Sequence, residues 1–316
     1  MVLDKFVDEN VEVAFVYMPV WEMFFSMHVL ADADHHLYRK RWAKRVCKKE
    51  PELVNRIMDM REVTDSWLFV IDSLEWSRMR QMEIEELLTY LRKKNIYQWN
   101  ELLKHTGQKM DIAGRDAALE VIKEYYKRIF MREERLLRPY LTRIIQKETA
   151  QCRKKGIWQW CAGIHSRLLV EEDCVAYWKD REYRYQKENV HRIYATVSTF
   201  VNPHLWLYKG EGELEMVKEA LTEQAKDEIP EKYVLVFKAL GDPMRLRIVK
   251  LLMQGTLTTQ EISKEIGISE AGVSKHLRIL KEAGLVSKAM KGHYVEYHFL
   301  TEIIDFIPYT FYEMMM

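Results

Sequence analysis

Cysteine is scarce in this 316-residue chain, which carries only Cys47, Cys152, Cys161 and Cys174. Four irregularly spaced thiols cannot form the dense disulfide framework of a small secreted fold, and a reducing cytoplasmic setting is expected. A dominant charge of one sign is also missing. Lys and Arg number 49 against 48 Asp and Glu, a formal net charge of +1, so a polycation that coats nucleic acid without discrimination is excluded and any nucleic-acid surface must be local. Long uncharged apolar runs are lacking: the first apolar stretch, Val11 to Ala31, is interrupted by Glu12, Pro19 and Glu22. Neither a signal peptide nor a membrane span is expected from it. Glycine is absent before Gly107 and turn signals are few, which favours helices over a strand-rich opening. Finally, the chain has no GxSxG, HExxH, phosphate-binding glycine loop or dinucleotide fingerprint. An enzyme is therefore not expected, and neither a metal nor a cofactor is assigned.

What is present is 48% hydrophobic and 31% charged sequence, over a length that exceeds one ordinary core. Two domains are expected, 1–228 and 229–316, with the linker near Asp227 to Glu231 around Ile229-Pro230. From Pro19 to about Lys187 apolar residues recur three and four apart, as in Pro51–Met58 and Glu83–Leu91, predicting helices with one face to bury. A pattern from Arg115 to Lys155 should end or kink near Arg138, where Pro139 removes a backbone donor. A further helix is predicted from Ile157 to about Glu188. The β-branched and aromatic stretches Ile193–Val201 and Leu205–Tyr208 predict one or two strands, followed by a charged helix from Glu213 to about Ala225. The expected fold class is mainly α: a large helical N-terminal domain with a small β element, then a C-terminal winged helix-turn-helix.

The C-terminal signals are local and ordered. Asp242-Pro243 supplies an N-cap and a first-turn proline, and Leu246, Ile248, Val249, Leu251 and Leu252 form a face to bury before Gly255. Thr258-Thr259-Gln260-Glu261 reads as a capping box. The helix it starts stops at Gly267, and Ser269 caps a third that ends at Gly284. Two short helices around a tight glycine turn make a helix-turn-helix. Runs Leu285–Met290 and His293–Leu300, split by Lys291-Gly292, predict a hairpin wing. At 100° per residue Val273, Leu277 and Leu280 share one stripe, while Ala271, Ser274, Lys275 and Arg278 lie opposite. Small, polar and basic residues are what a groove-entering helix needs. The residues expected at double-stranded DNA are Thr259, Gln260, Ser269, Ala271, Ser274, Lys275, His276 and Arg278, with Lys288, Lys291 and His293 on the wing.

The stretches Phe237–Ile248 and Val273–Val286 resemble the ArsR family of bacterial winged-helix transcription regulators. This resemblance covers roughly residues 231 to 300. It implies a homodimeric, cytoplasmic DNA-binding regulator, commonly a repressor, on an inverted-repeat operator. It also implies a dimer built from the helices flanking the winged core, here Lys232 to Leu240 and Thr301 to Tyr312. Their apolar stripes, Val234 with Phe237 and Ile303, Ile304, Ile307 with Phe311, are the expected interface, ahead of the alternative that either stripe packs on the N-terminal domain. Thr258 and Gln260 stand where the family's metal sensors carry cysteines, and Thr301 to Met316 contains no histidine, so the two familiar metal sites are missing.

All nine tryptophans, from Trp21 to Trp206, fall in the N-terminal part. An aromatic-rich shell of this kind could enclose a pocket for a small-molecule effector, or simply form core. Pro19–Met23 with Val29–Ala31 and His35-His36 is also similar, more weakly, to the opening of an uncharacterised helical domain in longer members of the same family. Cys161 and His165 are spaced to share a helix face, with Cys152 and Cys174 nearby, but the spacing is not that of a structural zinc site. His35-His36 beside Asp32 and Asp34 reads as a surface cluster. The basic run Tyr38 to Arg45 with Lys48 and Lys49 reads as a solvated helix face. The rival reading is a winged-helix protein-interaction module attached to a ligand-binding or undiscovered enzymatic helical domain.

Overall fold

The computed structural model describes residues 1–33, 36, 39–73, 75–178, 181–220, 231–292, 294–301, 303–305, 307–308 and 311. The chain divides into two compact units, Met1–Thr222 and Glu223–Met316. The boundary expected at 228/229 lies outside the described residues. None of the helices among the described residues is long and apolar enough to cross a membrane.

The N-terminal unit is built on a five-stranded mixed sheet. Strands β1 (Val2–Asp8) and β2 (Val11–Val16) form a hairpin whose two-residue turn, Glu9-Asn10, has positive φ at both positions, as the twist of a tight hairpin demands. A second, three-stranded antiparallel sheet comprises β3 (Leu168–Val170), β4 (Cys174–Trp178) and β5 (Glu182–Gln186). The chain then returns to the large sheet through β6 (Arg192–Ser198), β7 (Trp206–Lys209) and β8 (Glu213–Glu219), giving the order β1-β2-β6-β8-β7. The pairs β2/β6 and β6/β8 are parallel, and these three strands are buried along most of their length, as helix-covered parallel strands are.

The mainly α expectation with one small β element is therefore corrected: helices are numerous, but among the described residues this unit carries eight strands in two sheets. Three misreadings explain the difference. The run at β2 is apolar without alternation, which does not separate a buried strand from a helix. The helix expected from Ile157 to Glu188 ends at Cys161 and is followed by β3 to β5. The charged helix expected from Glu213 is β8, whose Glu213 pairs with Arg192 at 2.7 Å and whose Glu215 is buried. Pro139, expected to end or kink its helix near Arg138, sits inside the helix Met131–Lys155, which does not end there; the irregular turn lies earlier, at Tyr126–Phe130. Both Pro139 and Arg135, whose carbonyl loses its helical partner, are on the exposed side, where water can serve that carbonyl.

In the C-terminal unit the helices Glu231–Leu240, Pro243–Leu252, Thr259–Ile266 and Glu270–Glu282 surround one apolar core. A three-stranded sheet joins them, with β9 (Leu257–Thr258), β10 (Val286–Lys291) and β11 (Tyr294–Phe299) in the order β10-β11-β9. Strand β9 was not expected, because two residues carry no period. Leu246, expected on the buried face, is exposed; Ile248, Val249 and Leu252 face the core.

Candidate nucleic-acid interface

The helices Thr259–Ile266 and Glu270–Glu282 are each fixed at their start by short-range hydrogen bonds. Thr258 and Glu261 form the expected capping box: the Thr258 N–H donates to Glu261 Oε2 at 2.7 Å, and the Glu261 N–H donates to Thr258 Oγ1. The bond from the Thr258 N–H to the carboxylate holds the Glu261 pKa below the ordinary glutamate range. Gly267 turns the chain at φ +79, a left-handed conformation that resists side chains, and the Ser263 hydroxyl donates to the Ile268 carbonyl across the turn at 2.6 Å. Ser269 then accepts from the Gly272 N–H at 3.2 Å and opens Glu270–Glu282.

That helix has a dry and a wet side. Val273, Leu277 and Leu280 are buried in the unit's core. Ala271, Ser274, Lys275 and Arg278 are all exposed, and the Arg278 side chain retains 70% of its accessible surface. Its contact with Glu282, 3.8 Å and solvent-exposed, is too weak to withdraw it from a partner. Gln260 and Ser269 are exposed, while Thr259 and His276 are half-buried. On the wing Lys288 and Lys291 are exposed, with Lys291 Nζ at 3.0 Å from Glu296; His293 lies outside the described residues. Met290 and Tyr294, which the sequence reading left out, are also exposed on the hairpin.

The six residues expected at a dimer interface separate into two groups. Ile303, Ile304 and Ile307 pack against the unit's own core. Phe237 and Phe311 are 42% and 41% exposed and meet edge to face at 6.2 Å, while Val234 is half-buried. Phe237 and Phe311 thus form an apolar pair at the surface of this unit.

The N-terminal candidates behave differently from their sequence pattern. Cys161 is the last residue of Ile157–Cys161, so His165 does not share its helix; Cys161 is buried and its thiol contacts the Met216 sulfur at 3.5 Å. Burial pushes the Cys152 thiol up to about 12 and raises Cys161 as well, which keeps both protonated and poor ligands. Cys174 is paired with Glu171 at 3.2 Å. In the basic run Lys40, Arg41, Lys44, Lys48 and Lys49 are exposed, but Arg39 is buried with its guanidinium 4.1 Å from the centre of the Phe200 ring. Tyr38 and His35 lie outside the described residues. His36, expected in a surface cluster, is buried: its Nδ1 is 2.9 Å from the Asn202 carbonyl.

A family profile described as "Bacterial regulatory protein, arsR family" matches residues 242–288. The transcriptional repressor SdpR of Bacillus subtilis is 39% identical over 70 residues, spanning 22% of this chain and 78% of that protein. The arsenical resistance operon repressor of the same organism is 31% identical over 84 residues, covering 26% of this chain and 80% of that one. Among solved structures, reduced HlyU from Vibrio cholerae is 26% identical, covers 26% of this chain and 90% of that chain, and gives a TM-score of 0.23.

Proposed function

The chain belongs to the arsR family of bacterial regulatory proteins through its C-terminal segment, and we propose that it acts as a homodimeric, cytoplasmic transcriptional repressor on an inverted-repeat operator. Each protomer seats Glu270–Glu282 in one of two successive major grooves, and the wings carrying Lys288 and Lys291 reach the flanking backbone. The observation that carries this reading is the segregation of that helix: Leu277 and its neighbours grip the core while Ser274, Lys275 and Arg278 stand in solvent. No catalytic step is assigned to the chain on this reading.

Binding sites selected from random duplexes, followed by anisotropy titrations, test it. Arg278→Ala should cost roughly 1–3 kcal/mol on the selected site and relax one base position, whereas Lys275→Ala should weaken all sequences alike and lower the salt slope by about one. Unchanged affinity in both variants would overturn the assignment. Binding that ignores salt would instead favour a protein partner for the winged unit.

The dimer has its own test. Phe237→Asp places a charge on the exposed aromatic pair and should shift sedimentation toward monomer and weaken operator binding together. A variant that stays dimeric would move the interface elsewhere.

A further inference from the structure

In the N-terminal unit His28 and His36, close in sequence, meet the distant His204. His28 lies in the last turn of the helix Pro19–Ala31, His36 in the segment beyond it, and His204 in the connection from β6 to β7. Their rings pack pairwise at centroid separations of 5.0, 5.2 and 5.4 Å. One ring nitrogen from each lies within 4.8 Å of those of the other two.

Two of the rings are held in a defined tautomer. A carbonyl oxygen only accepts, so His36 Nδ1, 2.9 Å from the Asn202 carbonyl, and His28 Nδ1, 3.1 Å from the Ser66 carbonyl, each carry the proton. In the neutral rings Nε2 is then the lone-pair nitrogen. A backbone carbonyl behind the far ring nitrogen is the outer support that metal-binding histidines have. His28 Nε2 and His204 Nε2 stand 3.4 Å apart. Two nitrogens bound at about 2.05 Å to one tetrahedral ion would be about 3.3 Å apart, so this pair needs almost no movement to share a metal.

The Ser66 carbonyl is presented by a strained turn. Asp65, Ser66 and Trp67 all have positive φ, at 51°, 49° and 70°, a region that residues with a side chain seldom occupy and that concentrates at functional sites. The turn is locked by Trp67, whose buried indole N–H donates to the Ile57 carbonyl at 2.9 Å and whose backbone N–H donates to Thr64 Oγ1. A cavity of about 280 Å³ reaches His28 and His204 and is also lined by Asp65, Asp72 and Arg167.

We propose that His28, His36 and His204 bind one divalent transition-metal ion of the zinc class, with a fourth position that opens on this cavity and takes water or a small anion. Three neutral imidazoles without thiolate suit zinc and its neighbours and not calcium or magnesium. The proposal concerns the N-terminal unit and stands independently of DNA binding.

The test uses the untagged full chain, zinc competed against a chromophoric chelator, and cobalt(II) as the spectroscopic probe. The expected result is one ion per chain, with intense four-coordinate cobalt bands that shift when azide is added. His28→Gln and His204→Gln, chosen because both residues are only half-buried, should each weaken binding by about 100-fold or more, since loss of an outer-shell partner alone costs roughly 10–100-fold. Indole fluorescence melts establish that the variants fold, and zinc should raise the melting temperature of the parent and not of the variants. Absence of a stoichiometric ion, six-coordinate bands, or folded variants that bind like the parent would overturn the site. An azide-insensitive four-coordinate spectrum would overturn the open position.

Discussion

Leu277→Ala should destabilise the C-terminal unit by about 2–5 kcal/mol, because it removes a side chain that is 1% exposed and leaves a cavity the surrounding core can only partly close. That is a large share of the roughly 5–15 kcal/mol that holds a domain together, so the melting transition should fall by about 10 °C or more. The readout needs care. Every tryptophan lies at or before Trp206, so indole fluorescence reports the N-terminal unit. Loss of the winged unit must be followed by amide exchange in β10 and β11 or by helical circular dichroism. Arg278→Ala is the companion variant. Its side chain is exposed and its pairing with Glu282 is a surface contact, so the melt should move by no more than about 0.5 kcal/mol while operator affinity falls. On the proposed function the pair separates folding from reading: Leu277→Ala should lower affinity by lowering the folded fraction, and Arg278→Ala should lower it in a folded protein. A Leu277→Ala variant that melts with the parent would mean that the dry stripe does not anchor the helix.

The winged unit was legible because its signals are short-range. Asp242, Thr258 with Glu261, Gly267 and Ser269 each act within a few residues, and all four occupy the caps or turns their chemistry demands. The large sheet was not legible for the opposite reason. Strand β2 pairs with β6, so that Val13 lies beside Ile193, and nothing local in Val11–Val16 announces a partner so far along the chain. In β8 the obstacle was charge: Glu213 and Glu215 read as a helix surface until Arg192, Arg80 and the Trp21 indole are brought beside them. The histidine cluster is the extreme case. His28 and His204 have no motif spacing to each other or to His36, and only the assembled unit makes them neighbours. Sequence reading found the element that local rules build, and missed the sites that non-local pairing builds.

Glu215 gives the second large effect, through pH. Its side chain is fully buried on β8; Trp21 Nε1–H donates to Oε1 at 2.6 Å, and Arg80 lies 3.7 Å from Oε2 with its guanidinium over the Tyr194 ring. Burial outweighs both and pushes the carboxyl up to about 8 from an ordinary 4.5. Below about pH 4.5 the folded and unfolded chains are both protonated at this site, and no stability difference arises. Between there and about pH 8 the folded state keeps the proton that the unfolded state releases. Rising pH therefore favours unfolding, with a slope of up to about 1.4 kcal/mol per pH unit, and the loss levels off above pH 8. Glu215→Gln keeps an acceptor for the indole and cannot ionise, so it should remove this contribution. Melting followed by indole fluorescence from pH 5 to 9 should show the parent falling relative to the variant across that window. Comparing the two proteins cancels the other titrating groups, among them the raised Glu22 and the lowered His105 and His165. Parallel curves would mean that Arg80 holds Glu215 ionised at neutral pH and that the buried pair, not a shared proton, closes this side of the sheet.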